Sequence, residues 1–127
     1  MMRLLLDTHI FLWVVADDPK LSAAARETIS DAAEVFVSSA SIWETSIKAG
    51  LGKLDVDIDA LVSAIETSGF NELPVMAAHG AGVRILPDYH RDPFDRLLIA
   101  QAKHEPMHFM TADRHLAQYA PDLVMNV

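Results

Sequence analysis

Arg3-Leu4-Leu5-Leu6-Asp7-Thr8-His9 is the stretch that decides the fold. Three consecutive leucines leave no polar face, which predicts a strand covered on both sides, as in parallel α/β sheets. Asp7 stands where the apolar run stops. In an open α/β sheet that place is the carboxyl edge of a strand, where ligands bind.

The rest of the chain supplies the other layers. His9 to Val15 is compatible with a short helix, and Asp17-Asp18-Pro19-Lys20 reads as a loop. Ser22 can cap a helix reaching about Ala32, with Leu21, Ala25 and Ile29 at fourfold spacing. Val35-Phe36-Val37 is a short buried strand. From Ala40 to Ala49, the residues Ala40, Trp43 and Ile47 share one helical face, which predicts a core stripe with Trp43 inside; Gly50 then takes the C′ position. Glu44 and Lys48 are four apart and can pair on the neighbouring face. Asp57 or Asp59 can cap a further helix whose stripe is Leu61, Val62 and Ile65 and whose end is Gly69.

Phe70 to Val75 reads as a very short strand or as a connection, since Pro74 suits an edge. Met76 to Gly82 holds helix-compatible alanines interrupted by Gly80 and Gly82, and Val83 to Pro87 reads as a connection. Asp92-Pro93-Phe94-Asp95 is the clearest helix start: Asp92 caps, proline fits N1 and Asp95 takes N3. That helix runs on through Lys103, with Phe94, Leu98, Ile99 and Ala102 near one face. His108-Phe109-Met110 is a strand ended by Thr111-Ala112-Asp113, Arg114 to Tyr119 a short helix, and Leu123-Val124-Met125 the last strand. Short strands separated by helices predict an α/β fold, a three-layer α/β/α sandwich around a short, mainly parallel sheet. A length of 127 residues suits a single domain over 1–127.

Composition narrows the function classes. Half the chain is apolar, 51%, and 22% is charged, which fits a folded protein and not a disordered one. Cysteine is absent, so disulfides, thiol nucleophiles and cysteine zinc knuckles are out, in keeping with a reducing cytosol. The apolar tract from Leu4 to Ala16 is interrupted by Asp7, Thr8 and His9, falls short of the roughly 17–25 residues of a membrane helix, and lacks signal-peptide character. The expectation is a cytoplasmic protein. A net charge of −8 disfavours broad duplex DNA binding, yet allows a nucleic-acid enzyme whose acidic groups gather metal, or a basic protein partner.

Four carboxylates draw attention. Asp7 and Asp113 both follow buried runs, Asp95 opens a helix after a connection, and Glu44 lies early in a helix that can lean over the sheet. Gathered at about 4 Å and an effective dielectric near 20, each like-charge pair costs on the order of 4 kcal/mol, so protons or cations must accompany them. For an all-oxygen set the natural cation is Mg²⁺ or Mn²⁺. Each residue also has an ordinary role: strand-end acceptor for Asp7, Lys48 partner for Glu44, N3 carboxylate for Asp95, early-turn carboxylate for Asp113. Spacing alone leaves both readings open.

The segments Leu4-Leu5-Leu6-Asp7-Thr8-His9, Ser39-Ala40-Ser41-Ile42-Trp43-Glu44, His90-Arg91-Asp92-Pro93-Phe94-Asp95-Arg96 and Thr111-Ala112-Asp113-Arg114 together resemble the PIN-domain ribonucleases, particularly VapC-type toxins of toxin–antitoxin pairs. The resemblance spans almost the whole chain. It implies a Mg²⁺- or Mn²⁺-dependent endoribonuclease in which Asp7, Glu44, Asp95 and Asp113 hold the metal and water attacks an RNA phosphodiester, leaving a 5′-phosphate and a 3′-hydroxyl. It also implies a homodimer inhibited by a cognate antitoxin, with any DNA binding belonging to the antitoxin. Thr8 matches a hydroxyl support near the first carboxylate, and Asp92 the cap before the family acid. Arg96 and Arg114 are candidates for phosphate contact or for ordering Asp95 and Asp113. His9, His90 and His115 are less specific candidates for RNA contact or local hydrogen bonding. Two other functions share the scaffold: a catalytically silent interaction module and a metal-dependent DNA nuclease.

Overall fold

Leu4, Leu5 and Leu6 are each 0% exposed, and they alternate between two cores: Leu4 and Leu6 face one, Leu5 the other. This is the two-residue period of a strand with helices on both sides. The computed structural model describes residues 2–89 and 91–127. Its elements are β1 (Arg3–Leu6), α1 (Thr8–Ala16), α2 (Ala23–Asp31), β2 (Glu34–Ser38), α3 (Ser39–Gly50), α4 (Ile58–Thr67), β3 (Asn71–Leu73), α5 (Ala77–Gly82), α6 (Pro93–His104), β4 (His108–Thr111) and β5 (Val124–Asn126). Two 3-10 turns, Val83–Ile85 and Arg114–Tyr119, complete the chain.

The sheet order is β3-β2-β1-β4-β5, and every pairing is parallel. β1 is central, with Leu5 opposite Phe36 of β2 and Phe109 of β4. The chain winds outward from β1 to β2 and β3, then returns to start the other half at β4, so the switch point lies between β1 and β4. In such sheets the crevice at the carboxyl ends beside the switch point is the ligand site.

One face buries Ile10, Phe11, Ala25, Leu61 and Ile65 from α1, α2 and α4 against Leu4, Leu6, Val35, Val37 and Met110. The other buries Leu98, Ile99 and Ala102 of α6 with Leu86 and Leu116 against Leu5 and Phe109. The predicted three-layer sandwich is the one observed. Phe70 to Val75 resolves into the short strand β3, and α5 forms despite its two glycines. α5 is pinned by His79: its Nδ1 accepts from the Met76 N–H at 2.9 Å, and its Nε2 lies 2.6 Å from Glu105 Oε2.

Three expectations are corrected. Gly50 stays inside α3; Leu51 caps the helix and Gly52, at φ +74°, takes the left-handed position. Val62 is 48% exposed, leaving Leu61 and Ile65 as the buried stripe of α4. Trp43 is not core: it is 62% exposed. The residues α3 buries are Ala40, Ser41, Glu44 and Thr45. Successive helical residues are about 100° apart, so a helix that turns Ser41 and Glu44 inward must turn Trp43 outward. The polar face is tolerated inside because its groups have partners: Thr8 of α1 for Ser41 and Glu44, Lys48 for Glu44, and the Ser41 carbonyl for Thr45.

Candidate active site

Asp7 begins α1 directly from the end of the central strand and is buried. Its N–H donates to the Met110 carbonyl of β4 at 2.9 Å, which fixes the backbone. Oδ1 accepts from the Thr8 N–H at 2.7 Å and Oδ2 from the Thr111 hydroxyl at 2.6 Å. Burial raises the Asp7 carboxyl above its ordinary value; Thr111, the Thr8 N–H and the His9 charge oppose the rise, and Glu44 adds to it. Thr111 in turn accepts from the Asp113 N–H at 3.0 Å, so one hydroxyl ties two carboxylate-bearing segments together.

Glu44 reaches the same place from α3. A carboxylate only accepts, so the Thr8 hydroxyl, 2.8 Å from Glu44 Oε1, donates to it. Ser41 Oγ, 2.9 Å from Thr8 Oγ1, then supplies its own proton to Thr8. The Thr8 side chain therefore supports Glu44, while its backbone supports Asp7. The second Glu44 oxygen accepts from Lys48 Nζ at 2.7 Å, the helical pair expected from the spacing. That contact, together with the charges of Asp92 and Asp95, holds the Lys48 ammonium above its ordinary value.

Asp92 caps α6 through Oδ1, which accepts from the Phe94 N–H at 2.8 Å and the Asp95 N–H at 3.2 Å. Asp95 is thereby set in the first turn of α6, where a carboxylate meets the positive end of the helix. The Trp43 and Phe94 rings meet edge-on, with centroids 5.2 Å apart, and this joins the residue before Glu44 to the residue before Asp95. Asp113 starts the 3-10 turn after β4 and accepts from the His115 N–H at 2.9 Å; His115 Nδ1 lies 3.1 Å from the same oxygen.

These side chains line one cleft of about 280 Å³: Asp7, His9, Glu44, Lys48, Asp92, Asp95 and Asp113, with Trp13 on its wall. The four carboxylates singled out in the sequence thus share a cleft beside the end of β1. Arg96 and Arg114 are not on its described lining. Arg96 Nη1 donates to the Pro87 carbonyl at 2.9 Å and Nη2 to the Val83 carbonyl at 3.2 Å, strapping the segment before α6, and Arg114 is exposed. His90 lies outside the described residues. Thr111 and Ser41 are the site residues that sequence reasoning missed. Ser41 stands three before Glu44, on the same helical face, which was readable; Thr111 meets Asp7 only through the β1–β4 register that sets Leu6 opposite Met110.

A larger hollow of about 480 Å³ lies elsewhere, beside the amino ends of β2 and β3, lined by Val14, Ile29 and Phe70 with Arg26 and Glu34. Its described lining holds a single carboxylate, that of Glu34, and no acidic cluster. Another group with metal-ligand spacing, His79, His104 and Glu105, lies on α5, the last residue of α6 and its C-cap. There His79 Nδ1 accepts from the Met76 N–H, so its single proton is on Nε2, facing Glu105. A metal on that nitrogen would displace the proton to the side already occupied by a donor. In the cleft, by contrast, every candidate ligand is a carboxylate, the donor set that suits hard divalent cations.

Comparison with known proteins agrees with this fold. The PIN domain profile matches residues 4–121. Ribonuclease VapC22 of Mycobacterium tuberculosis is 30% identical over 125 residues, covering 94% of this chain and 93% of that protein. Among solved structures, VapBC2 from Rickettsia felis, bound to a DNA fragment from its promoter, superposes with a TM-score of 0.71 at 16% identity over 98% of both chains. FitAcB from Neisseria gonorrhoeae superposes with a TM-score of 0.68 at 19% identity over 97% of this chain and 96% of that one. With the profile covering nearly the whole chain and a VapC ribonuclease at 30% identity, the chain belongs to the PIN-domain family.

Proposed function

We propose that this protein is a metal-dependent endoribonuclease toxin, neutralised by a cognate antitoxin. The observation that carries the proposal is the convergence of Asp7, Glu44, Asp95 and Asp113, from four separate elements, on one cleft at the switch point of a PIN fold. Ribonuclease identity of the relative VapC22 supports RNA as the substrate, and a toxin–antitoxin complex from Klebsiella pneumoniae, which superposes with a TM-score of 0.67 at 14% identity, supports a protein inhibitor. No helix among the described residues is long and apolar enough to cross a membrane. A cytoplasmic location and a homodimer belong to the same proposal.

Asp7, Glu44, Asp95 and Asp113 are the residues that would hold Mg²⁺ or Mn²⁺. When bound, the ion supplies neutralising charge for the phosphate and a more acidic water. Thr8, Ser41 and Thr111 fix two of the four carboxylates in advance, so little ordering is left to the moment of binding. Hydrolysis adds the oxygen of water to phosphorus and releases the 3′ oxygen with a proton, leaving 5′-phosphate and 3′-hydroxyl ends. None of the carboxylates need form a covalent bond.

Purified, antitoxin-free protein should cleave a cellular RNA pool with Mg²⁺ or Mn²⁺ and stop on chelation. A folded, metal-loaded protein that leaves the whole pool intact would falsify the ribonuclease reading. Cleavage of parallel DNA substrates alone would make it a DNA nuclease. Antitoxin capture with both nucleic acids uncut would make it an interaction module.

A further inference from the structure

Lys48 lies one turn beyond Glu44 on α3 and holds it at 2.7 Å, with the Glu44 side chain 5% exposed and that of Lys48 35%. The other Glu44 oxygen is taken by Thr8, so hydroxyl and ammonium between them occupy both oxygens of a buried carboxylate. Lys48 is also the one lysine or arginine on the described lining of a cleft that carries Asp7, Asp92, Asp95 and Asp113. An ordinary pair of this spacing on a helix surface is solvated at both ends and contributes little. Here one end is buried, and a buried carboxylate stripped of its partner is destabilising.

We infer that the Lys48 ammonium is an internal counter-ion that competes with divalent metal for Glu44. It occupies Glu44 Oε2 in the metal-free cleft and moves off that oxygen when a metal ion takes it. The inference rests on the metal-dependent reading given above. Two cations do not share one carboxylate oxygen without strong repulsion, so binding of one is release of the other. The four-carbon stem of lysine is flexible and partly exposed, which gives the ammonium a way out toward solvent. Lys48 therefore acts on metal occupancy through Glu44, and it keeps the carboxylates together when no metal is present.

The test is calorimetric titration of Mn²⁺ into the full chain, Lys48→Met, Lys48→Arg and Asp95→Asn, with thermal unfolding of each in chelator and in Mn²⁺. Lys48→Met should bind Mn²⁺ about tenfold more tightly than the unaltered chain, while melting lower in chelator. Lys48→Arg, which keeps the charge, should stay within about threefold of the unaltered affinity. Asp95→Asn should weaken binding, which places the ion in this cleft. Should Lys48→Met unfold in chelator, recovery of its folded spectrum on adding Mn²⁺ supports the inference and failure to recover overturns it. Equal or weaker Mn²⁺ affinity in a folded Lys48→Met overturns the role of Lys48 and leaves the metal site standing. No Mn²⁺ or Mg²⁺ binding by the unaltered chain and by Lys48→Met alike overturns the metal reading and this inference together.

Discussion

Asp7 is costly to the metal-free fold. Burial raises its carboxyl, and an acid whose folded value exceeds its unfolded one binds more protons in the folded state between the two values. Stability therefore falls as pH climbs through that window. Asp7→Asn removes the charge and keeps an acceptor for the Thr8 N–H. In chelator at neutral pH its urea midpoint should lie above that of the unaltered chain, with the gap closing toward the ordinary carboxylate range near pH 3.8. RNA cleavage should fall by about 10²-fold or more, since losses one layer further from a metal already cost about 10–100-fold. A midpoint below that of the unaltered chain would show that hydrogen bonds, not burial, dominate at Asp7. Thr111 belongs to that further layer. Thr111→Val unties Asp7 from Asp113 at nearly constant volume, and metal affinity should drop about 10–100-fold, with Thr111→Ser restoring most of it.

At the scale of elements, α3 and α6 separate what the sequence told from what it hid. α6 was legible because its start is local chemistry: Asp92 receives two backbone N–H groups and Pro93 sits where no N–H is needed. Asp92→Ala should cost about 0.5–2 kcal/mol in urea unfolding, and Asp92→Asn should recover it with metal affinity kept. α3 was misread because hydrophobic periodicity assumes that apolar residues point inward. Its inward face is largely polar, which works because Thr8 and Lys48 take the two Glu44 oxygens and Thr45 donates to the Ser41 carbonyl; spacing within α3 reveals Lys48 but not Thr8, which another helix carries. Exposed Trp43 makes an edge-on contact with Phe94, so Trp43→Ala should cost about 1 kcal/mol or less, against roughly 3–5 for a core tryptophan. A loss in the core range would mean that Trp43 is buried in solution, by a partner or a second copy. β1 was plain from three leucines, whereas β3 was not, being three residues at the edge with only Leu73 buried.

For the whole molecule, the dominant quantity is the charge of −8, whose sign is wrong for a polyanionic substrate. Acidic side chains crowd the cleft, and its described lining has one lysine or arginine, Lys48, which is already engaged with Glu44. A basic RNA-binding protein releases many counter-ions, and its affinity falls with log salt at a slope of about −0.7 per phosphate neutralised on a single strand. The described lining of the cleft has no such basic surface, so RNA should be held there chiefly through the bound metal. With saturating Mn²⁺ and an RNA carrying a non-cleavable linkage, fluorescence anisotropy between about 50 and 200 mM KCl should give a shallow slope, near −1. In chelator the remaining association should be weak and should strengthen, or stay level, as salt screens the repulsion. A steep negative slope in chelator, of the size that six or more phosphate contacts produce, would place the RNA on some surface other than the acidic cleft, and the cleft would then need a different substrate.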